Sequence, residues 1–498
     1  MNIATNLSNA ALHFPDRTAA TESERRMTFA ELEAESNRIA AGLTLLGLRP
    51  GDYAALCAPN SLRWIAFYFG VIKAGAAAAT FSHLLAPREL TAILGDCRPR
   101  ILFTTDEKLD ALGGRHPDEG PAHIVCDHGN ISYPKLLAKG DAGFKTVDRD
   151  REDTAAILYT GGTTGTPKGA MLSHANIQAA VFNVAHFERS TEADTALCFL
   201  PLNHVFAQIH IMLATVFSAG ALVIQPGFDQ DLLLDALQRR KVTKLYAVPT
   251  IYIRLLRLQG LRERLCGVRY CFSAAASMAR DTVRAWQEVT GLNIHEAYGM
   301  TESASMVTYN HYYRHVVGSV GTPANLVELR ICDSGGRPLE TGDSGEICIR
   351  GPNVTGRGYL NSPAETRAAF HGAWFRSGDV GYLDDAGYLF IVDRLKDMIV
   401  TGGENVYPRE IEELLYTRSD IQECAVVGLP DPEYGERVTA FLVSNAESKP
   451  GTAELQTYLK RRLAGFKVPK EFRWVSELPK NNAGKLLKRE IRRKWAGT

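Results

Sequence analysis

The 498-residue chain is predicted to be an α/β protein: a large N-terminal domain of βα units with parallel sheets plus a β-rich subdomain, followed by a small α+β C-terminal domain. Three observations predict this. Short apolar strand-like runs alternate with helical patterns over most of the chain, which favours parallel sheet covered by helices. After about residue 325 the texture turns to β-like segments rich in turn residues. A second change falls at Arg394-Leu395-Lys396-Asp397, beyond which about one hundred residues form a unit of their own, within the usual domain range. The expected domains are therefore 1–394 and 395–498.

The elements follow in order. AALCAP reads as a strand before the helix SLRWIAFYFGVIKAG, and TAAILYT as a strand before a glycine-rich loop. The most apolar run, IMLATVFSAGALVI at 211–224, is too short to span a bilayer and is bounded by His210 and Pro226-Gly227. It reads as a buried helix passing into a buried strand. ALVIQ with DLLLDALQRR, and KLYAVP with TIYIRLLRL, are further strand–helix pairs. VELRIC and GEICIRG are β-like, and GYLDDAGYLFIVDR carries a hairpin turned at DDAG. The last unit contains the helix PREIEELLYTR, the strands ECAVVGLP and RVTAFLVS, the helix AELQTYLKRRLAG and the strand EFRWV. The basic tail KLLKREIRRK reads as a solvated helix face.

Composition narrows the function. Lys plus Arg and Asp plus Glu are 56 each, so no overall field draws the chain to nucleic acid or anionic lipid, and any anion must be held locally. The nine scattered cysteines include no C-x-x-C pair, which argues against a zinc site or a disulfide framework and for free thiols in a reducing compartment. MNIATNLSNAALHF has no basic stretch ahead of a long apolar one, so a cytoplasmic protein without stable membrane insertion is expected.

The chemistry starts at YTGGTTGTPKG, 159–169. Glycines let consecutive backbone N–H groups approach phosphate oxygens, the threonines add hydroxyl donors, and Lys168 adds charge. The loop is not a Walker A, because Pro167 precedes the lysine and Gly169 follows it. Alone, it fits either a phosphate cradle or a solvated turn.

Five further motifs follow it in order: PLNHVFAQ (201–208), SAAASM (273–278), HEAYGMTE (295–302), WFRSGDVGYLDDAGYLFIVDR (374–394) and LPKNNAGKLLKREIR. Together with the loop they resemble the adenylate-forming superfamily of acyl-CoA and aryl-CoA synthetases, nonribosomal adenylation domains and luciferases. The resemblance runs from about residue 10 to the C-terminus. It implies ATP, Mg²⁺ and coenzyme A as cofactors, with Thr160, Gly162, Thr163, Thr164, Gly165 and Lys168 gripping the phosphates. Ala275, Ala276, Glu296, Tyr298, Gly299 and Met300 fall on the adenine side and Thr301 at the α-phosphate. Glu302, with Thr163, falls on Mg²⁺, and the oxygen preference of that ion suits a carboxylate. The resemblance also places Asp379 on the ribose hydroxyls with Arg394 beside it, and His204 at the carboxylate pocket. Lys485 is the lysine that enters the site for adenylation.

Three departures from the family pattern stand out. Gly161 replaces a serine in the loop, Ala207 or Gln208 falls where a glycine is usual, and Ala274 and Ala275 replace glycines. In RLKDMIVTGGENVYP the position of Lys396 matches the hinge about which the family's mobile C-terminal domain rotates between half reactions. Gly402, Gly403 and Glu404 then fall on the coenzyme A side.

The implied activity is an ATP-dependent acyl-CoA synthetase, an AMP-forming acid–thiol ligase, acting on a small-molecule carboxylic acid. A medium- or long-chain fatty acid is expected first and an aryl acid second, because segments 203–212, 245–252 and 298–306 supply mainly apolar side chains to the acyl pocket implied by the resemblance. An acyl-AMP ligase loading a carrier protein, a luciferase-like oxygenase and a non-catalytic nucleotide-binding regulator remain as alternatives, and a homodimer stays open. Arg314 is a candidate partner for a second carboxylate, against an ordinary surface arginine.

Overall fold

The computed structural model describes the whole chain except residues 114–119, 161–166, 277, 419, 445–448, 481–485 and 496–498. Two parallel sheets carry the N-terminal part. The six-stranded one runs His123–Val125, Ile101–Thr104, Tyr53–Cys57, Ala77–Thr80, Thr154–Thr160, Lys168–Ser173, and only its last pair is antiparallel. The seven-stranded one runs Ile294–Glu296, Tyr270–Ser273, Lys244–Ala247, Thr195–Cys198, Ala221–Ile224, Thr18–Glu22, Arg25–Thr28. It too is parallel except at its end, where Thr18–Glu22 and Arg25–Thr28 form a hairpin.

The strands read as continuous apolar runs because helices cover both faces. The helix Leu62–Lys73 starts at Ser61, whose side chain accepts from Trp64 N–H, and eleven of its twelve residues are buried. Lys73 lies in this core, its Nζ bound to Glu33 Oε2 at 2.6 Å and Asn37 Oδ1 at 2.6 Å. Burial pushes Lys73 down to about 8 against the pull of Glu33.

The β-rich part is an antiparallel sheet of Glu328–Cys332, Gly345–Arg350, Trp374–Leu383 and Phe370–His371, with Leu389–Arg394 paired to Trp374–Leu383 through the expected hairpin. The chain after Arg394 builds a five-stranded sheet around the long pair Ile421–Asp431 and Gly435–Ser444. Buried apolar side chains segregate accordingly. Two clusters draw on residues 3–389 and two on residues 399–491.

The run at 211–224 is a buried helix leading into the strand Ala221–Ile224, but it opens with a wide, π-type stretch, Phe206–Leu213, whose side chains are all buried. Wide turns of this kind gather at functional sites. The basic tail differs from a solvated face. In the helix Lys488–Trp495, Ile491 is fully buried and Lys488 Nζ lies 2.8 Å from Glu412 Oε1. Arg492 donates to the carbonyls of Lys396 (3.3 Å) and Asp397 (3.2 Å), tying the last helix to the turn Leu395–Asp397. All nine cysteines are free, and only Cys266 is exposed. No described helix is long and apolar enough to cross a membrane.

Candidate functional site

Two groups of side chains from distant stretches meet beyond the strand ends. The first is built on the hairpin 374–394. Asp379 and Arg394 face each other across it, and Arg394 Nε lies 3.1 Å from Asp379 Oδ1. Tyr298 Oη donates to Asp379 Oδ2 at 2.6 Å. The carboxylate is thus buried and fixed by a cation on one oxygen and a hydroxyl on the other. Burial works against the charge on Arg394, yet Asp379 outweighs it and holds the guanidinium above its ordinary range. A carboxylate held this way suits a pair of vicinal hydroxyls.

Glu296, at the end of the strand Ile294–Glu296, is buried with Oε2 lacking a hydrogen-bond partner among the described residues. Burial raises its pKa to about 7, although Arg409 pulls it down. Arg409 belongs to the helix Pro408–Tyr416, and it anchors that helix to the hairpin. Its N–H donates to Asp393 Oδ2 at 2.8 Å and its guanidinium to Ile391 O at 2.6 Å.

The second group surrounds Glu302. Tyr359 Oη donates to Glu302 Oε1 at 2.7 Å, while Lys168 Nζ lies 5.6 Å from the centre of the Tyr359 ring. The strand Lys168–Ser173 is laced to the same stretch by Met171 N–H to Gly358 O (2.9 Å) and Leu360 N–H to Gly169 O (2.8 Å). Thr355 N–H donates to Glu302 O at 2.7 Å. Thr160 pairs in register with Lys168, which sets both at the mouth of the glycine-rich loop. Tyr359 was missed in the sequence because GRGYLNS looks like an ordinary turn; only the fold brings it to Glu302.

A carboxylate oxygen oriented by a phenol, with a lysine close by, fits a hard divalent cation that also takes phosphate oxygens. Among the described residues no cluster of three or more His, Cys, Asp or Glu side chains forms a self-sufficient metal cage. An Mg²⁺ ion at Glu302 would therefore complete its shell from a substrate.

The remaining sequence candidates are placed as follows. His204 is half-buried and accepts Phe206 N–H on Nδ1 at 3.2 Å. Ala207 is fully buried, and Gln208 is pinned by Thr80 Oγ1 and Leu202 O, both at 2.9 Å. Gly299 and Met300 pair with Met306 and Ser305, and Thr301 opens the short turn Thr301–Ser303. Ala275 and Ala276 are exposed, and Ala275 has φ 70°, a left-handed conformation natural to the glycine it replaces. Gly402 and Gly403, with φ 60° and 85°, turn the chain between Ile399–Thr401 and Glu404–Val406, and Glu404 is exposed. Arg314 is exposed over the Tyr388 ring. Gly162, Thr163, Thr164, Gly165 and Lys485, like Gly161, lie outside the described residues.

Beside this site lies a buried polar assembly that no motif flagged. Glu188, His210 and Lys244 are almost wholly enclosed, with His210 Nε2 2.7 Å from Glu188 Oε1 and Lys244 Nζ 2.9 Å from Glu188 Oε2. Tyr246 Oη also donates to Glu188. Burial would raise the Glu188 carboxyl, but Lys244 and His210 hold it down at about 2. The wide helical stretch turns His210 toward Ser305, 3.2 Å from its Nδ1.

Known proteins match the chain over nearly its whole length. The AMP-binding enzyme family model matches residues 7–360, and the AMP-binding enzyme C-terminal domain matches residues 410–485. A feruloyl-CoA synthase of Amycolatopsis sp is 35% identical over 97% of this chain and 96% of its own length. A long-chain-fatty-acid–CoA ligase of Bacillus subtilis (strain 168) is 32% identical over 97% of this chain and 93% of its own. Among solved structures, ATP-bound MatB from Rhodopseudomonas palustris superposes with a TM-score of 0.94 at 34% identity, covering 100% of this chain and 99% of that one.

Proposed function

The chain belongs to the AMP-binding enzyme family and is an AMP-forming CoA ligase that uses ATP, Mg²⁺ and coenzyme A, and we propose that the two groups of side chains described above grip its nucleotide while a compact, flat carboxylic acid is activated. The observation that carries this reading is their pairing: Asp379, fixed by Tyr298 and Arg394, for the ribose, and Glu302, oriented by Tyr359 beside Lys168, for the phosphate end.

The acid's carboxylate oxygen attacks the α-phosphorus, the bond to pyrophosphate breaks, and a mixed anhydride with AMP forms. Lys168 and the loop N–H groups neutralise negative charge in that step, and Lys485 is carried to it from the C-terminal unit. Bound at Glu302, Mg²⁺ supplies further charge neutralisation on the phosphate oxygens. The thiol of coenzyme A then attacks the acyl carbon and AMP leaves. The C-terminal unit, residues 395–498, turns about Lys396 between the steps, bringing the Gly402–Glu404 turn in place of Lys485. At exposed Gly403 an added Cβ would meet nothing within 4 Å, so the turn leaves room for a ligand arm to lie against it.

Of the two acid classes, aliphatic and aromatic, the second is favoured by the rings that gather where segments 203–212, 245–252 and 298–306 converge. Phe206, Tyr246, Phe272 and Tyr309 surround His210, with centroids 4.4 to 6.2 Å from its ring. The test is pyrophosphate release over a panel of acids, with and without coenzyme A, repeated for Lys485→Ala. Release that needs the acid and Lys485, followed by thioester only with coenzyme A, is expected. Nucleotide binding without release for any acid would instead favour a regulator, and thioester formed only on a carrier protein would replace the acceptor.

A further inference from the structure

We infer that Glu346 is a positioning residue for the ribose grip. It holds the bulge from which Asp379 projects, and together with Arg376 it sets how well the protein tells a ribose with both hydroxyls from one that lacks either. The inference rests on the ligase reading above, and within it on Asp379 as the ribose carboxylate.

Asp379 stands where the antiparallel sheet breaks its register. Glu346 pairs with Val380 and Cys348 with Arg376, so the single residue Ile347 faces three, Ser377, Gly378 and Asp379. Bulges re-aim side chains next to active sites. On its other side Asp379 stays in register with Arg394. Packing does little to fix this segment at its middle. Gly378 has φ 70°, a conformation that favours glycine, and an added Cβ there would meet nothing within 4 Å. Hydrogen bonds have to do the work instead.

Glu346 is the anchor of those bonds. It is buried on the strand Gly345–Arg350 and reaches across to the bulge with both oxygens. The Gly378 N–H donates to Oε1 at 3.1 Å, and the Arg376 guanidinium donates to Oε2 from Nε at 2.9 Å and from Nη2 at 2.7 Å. One carboxylate thus ties the start of the bulge to its middle. The Asp379 N–H donates to Ser377 Oγ at 3.0 Å, which extends that hold to the next residue. The bonds to Glu346 also keep the Arg376 guanidinium above its ordinary range.

The chemistry at Asp379 makes its placement matter. Arg394 and Tyr298 engage one oxygen each. A carboxylate has about four acceptor sites, so about one stays open on each oxygen, which is what two vicinal hydroxyls need. A bulge free to turn would swing both sites away together. The Glu346–Arg376 pair adds little to stability by itself, because the Arg376 side chain is 39% exposed and solvent screens it. Its value lies in the Gly378 N–H that Glu346 holds at its other oxygen, one residue from Asp379.

The experiment measures dissociation constants of ATP, 2′-deoxy-ATP and 3′-deoxy-ATP, each with Mg²⁺, on the full chain by titration calorimetry, with KM for ATP and kcat of pyrophosphate release alongside. The wild type is expected to bind ATP about tenfold or more tightly than either analogue, the usual loss when a hydrogen bond to a charged group goes unmade. In Glu346→Gln the amide has a single accepting oxygen and keeps either Gly378 or Arg376, not both. The ratio should then fall by about threefold to tenfold, and KM for ATP should rise more than kcat falls. Arg376→Gln, at a half-exposed position that guards against a folding effect, should lower the ratio in the same sense. Arg376→Lys, which restores the charge without the two-bonded fork, should recover part of it. Variants that weaken all three nucleotides alike, or leave the ratio unchanged, overturn the inference while the ligase reading stands. A wild type indifferent to the ribose hydroxyls also overturns it, by removing the ribose from Asp379. If no acid releases pyrophosphate the ligase reading falls, and the nucleotide ratios still decide on Glu346.

Discussion

Tyr359→Phe isolates one hydrogen bond at the phosphate end. The substitution deletes the hydroxyl 2.7 Å from Glu302 Oε1 and leaves the ring under Lys168 in place. A hydrogen bond to a charged acceptor contributes about 1.5–3 kcal/mol. Glu302 is only half-buried, so solvent replaces part of the lost bond and the lower end applies, about 1.5 kcal/mol. That corresponds to roughly tenfold weaker Mg²⁺ binding, the low end of the usual loss when a group behind a metal ligand is removed. The assay is pyrophosphate release against free Mg²⁺ at fixed ATP and acid. The half-saturating Mg²⁺ concentration should rise about tenfold, with the maximal rate largely recovered at high Mg²⁺. An unchanged Mg²⁺ curve would refute the reasoning, and so would a fall in maximal rate that no Mg²⁺ concentration restores.

Three other perturbations test separate parts of the molecule. Glu296 has its pKa raised to about 7 by burial, so its stabilising share is complete below the ordinary glutamate range near 4.5 and is lost as pH rises through 7. Glu296→Gln should flatten the fall in urea stability of the nucleotide-free protein between pH 4.5 and 7, a change of about 3 kcal/mol at most. Ala275→Gly should stabilise the adenine-side turn by up to about 1 kcal/mol by relieving its left-handed backbone, read as a higher denaturation midpoint. Lys244→Met strips the main cation from the buried Glu188 and should cost about 3–5 kcal/mol of stability, visible as a large drop in urea midpoint.

Much of the fold was legible because it is written in local patterns. The strand–helix alternation, the DDAG hairpin and the helix starting at Pro408 all depend on residues close in sequence. Pairings across long separations were not legible: nothing in TAATE announces that it lies beside ALVI, some two hundred residues later. The site divides along the same line. Asp379 and Arg394 face each other across one hairpin, and each sat in a recognisable motif. Tyr359 lacked such a signal, and so did Glu188, which lies in the unremarkable stretch HFERS and becomes chemical only when Lys244, Tyr246 and His210 close around it. A pattern confined to one segment cannot report a charge balanced by residues from two others.

The Arg492 contacts bear on how the proposed swing of residues 395–498 would be organised. Lys396 and Asp397 hold their carbonyls against a guanidinium from the far end of the C-terminal unit, so the turn they form travels with that unit as cargo. The torsions left for the proposed swing are then few, those of Leu395 and the N-terminal side of Lys396, because Arg394 is held in the hairpin against Asp379. A short joint leaves little backbone freedom to lose when the unit settles in either pose, at about 1–2 kcal/mol per residue ordered. In the proposed swing the last helix would act as a splint, and shortening the chain before residue 492 should lengthen the joint and blur both end positions.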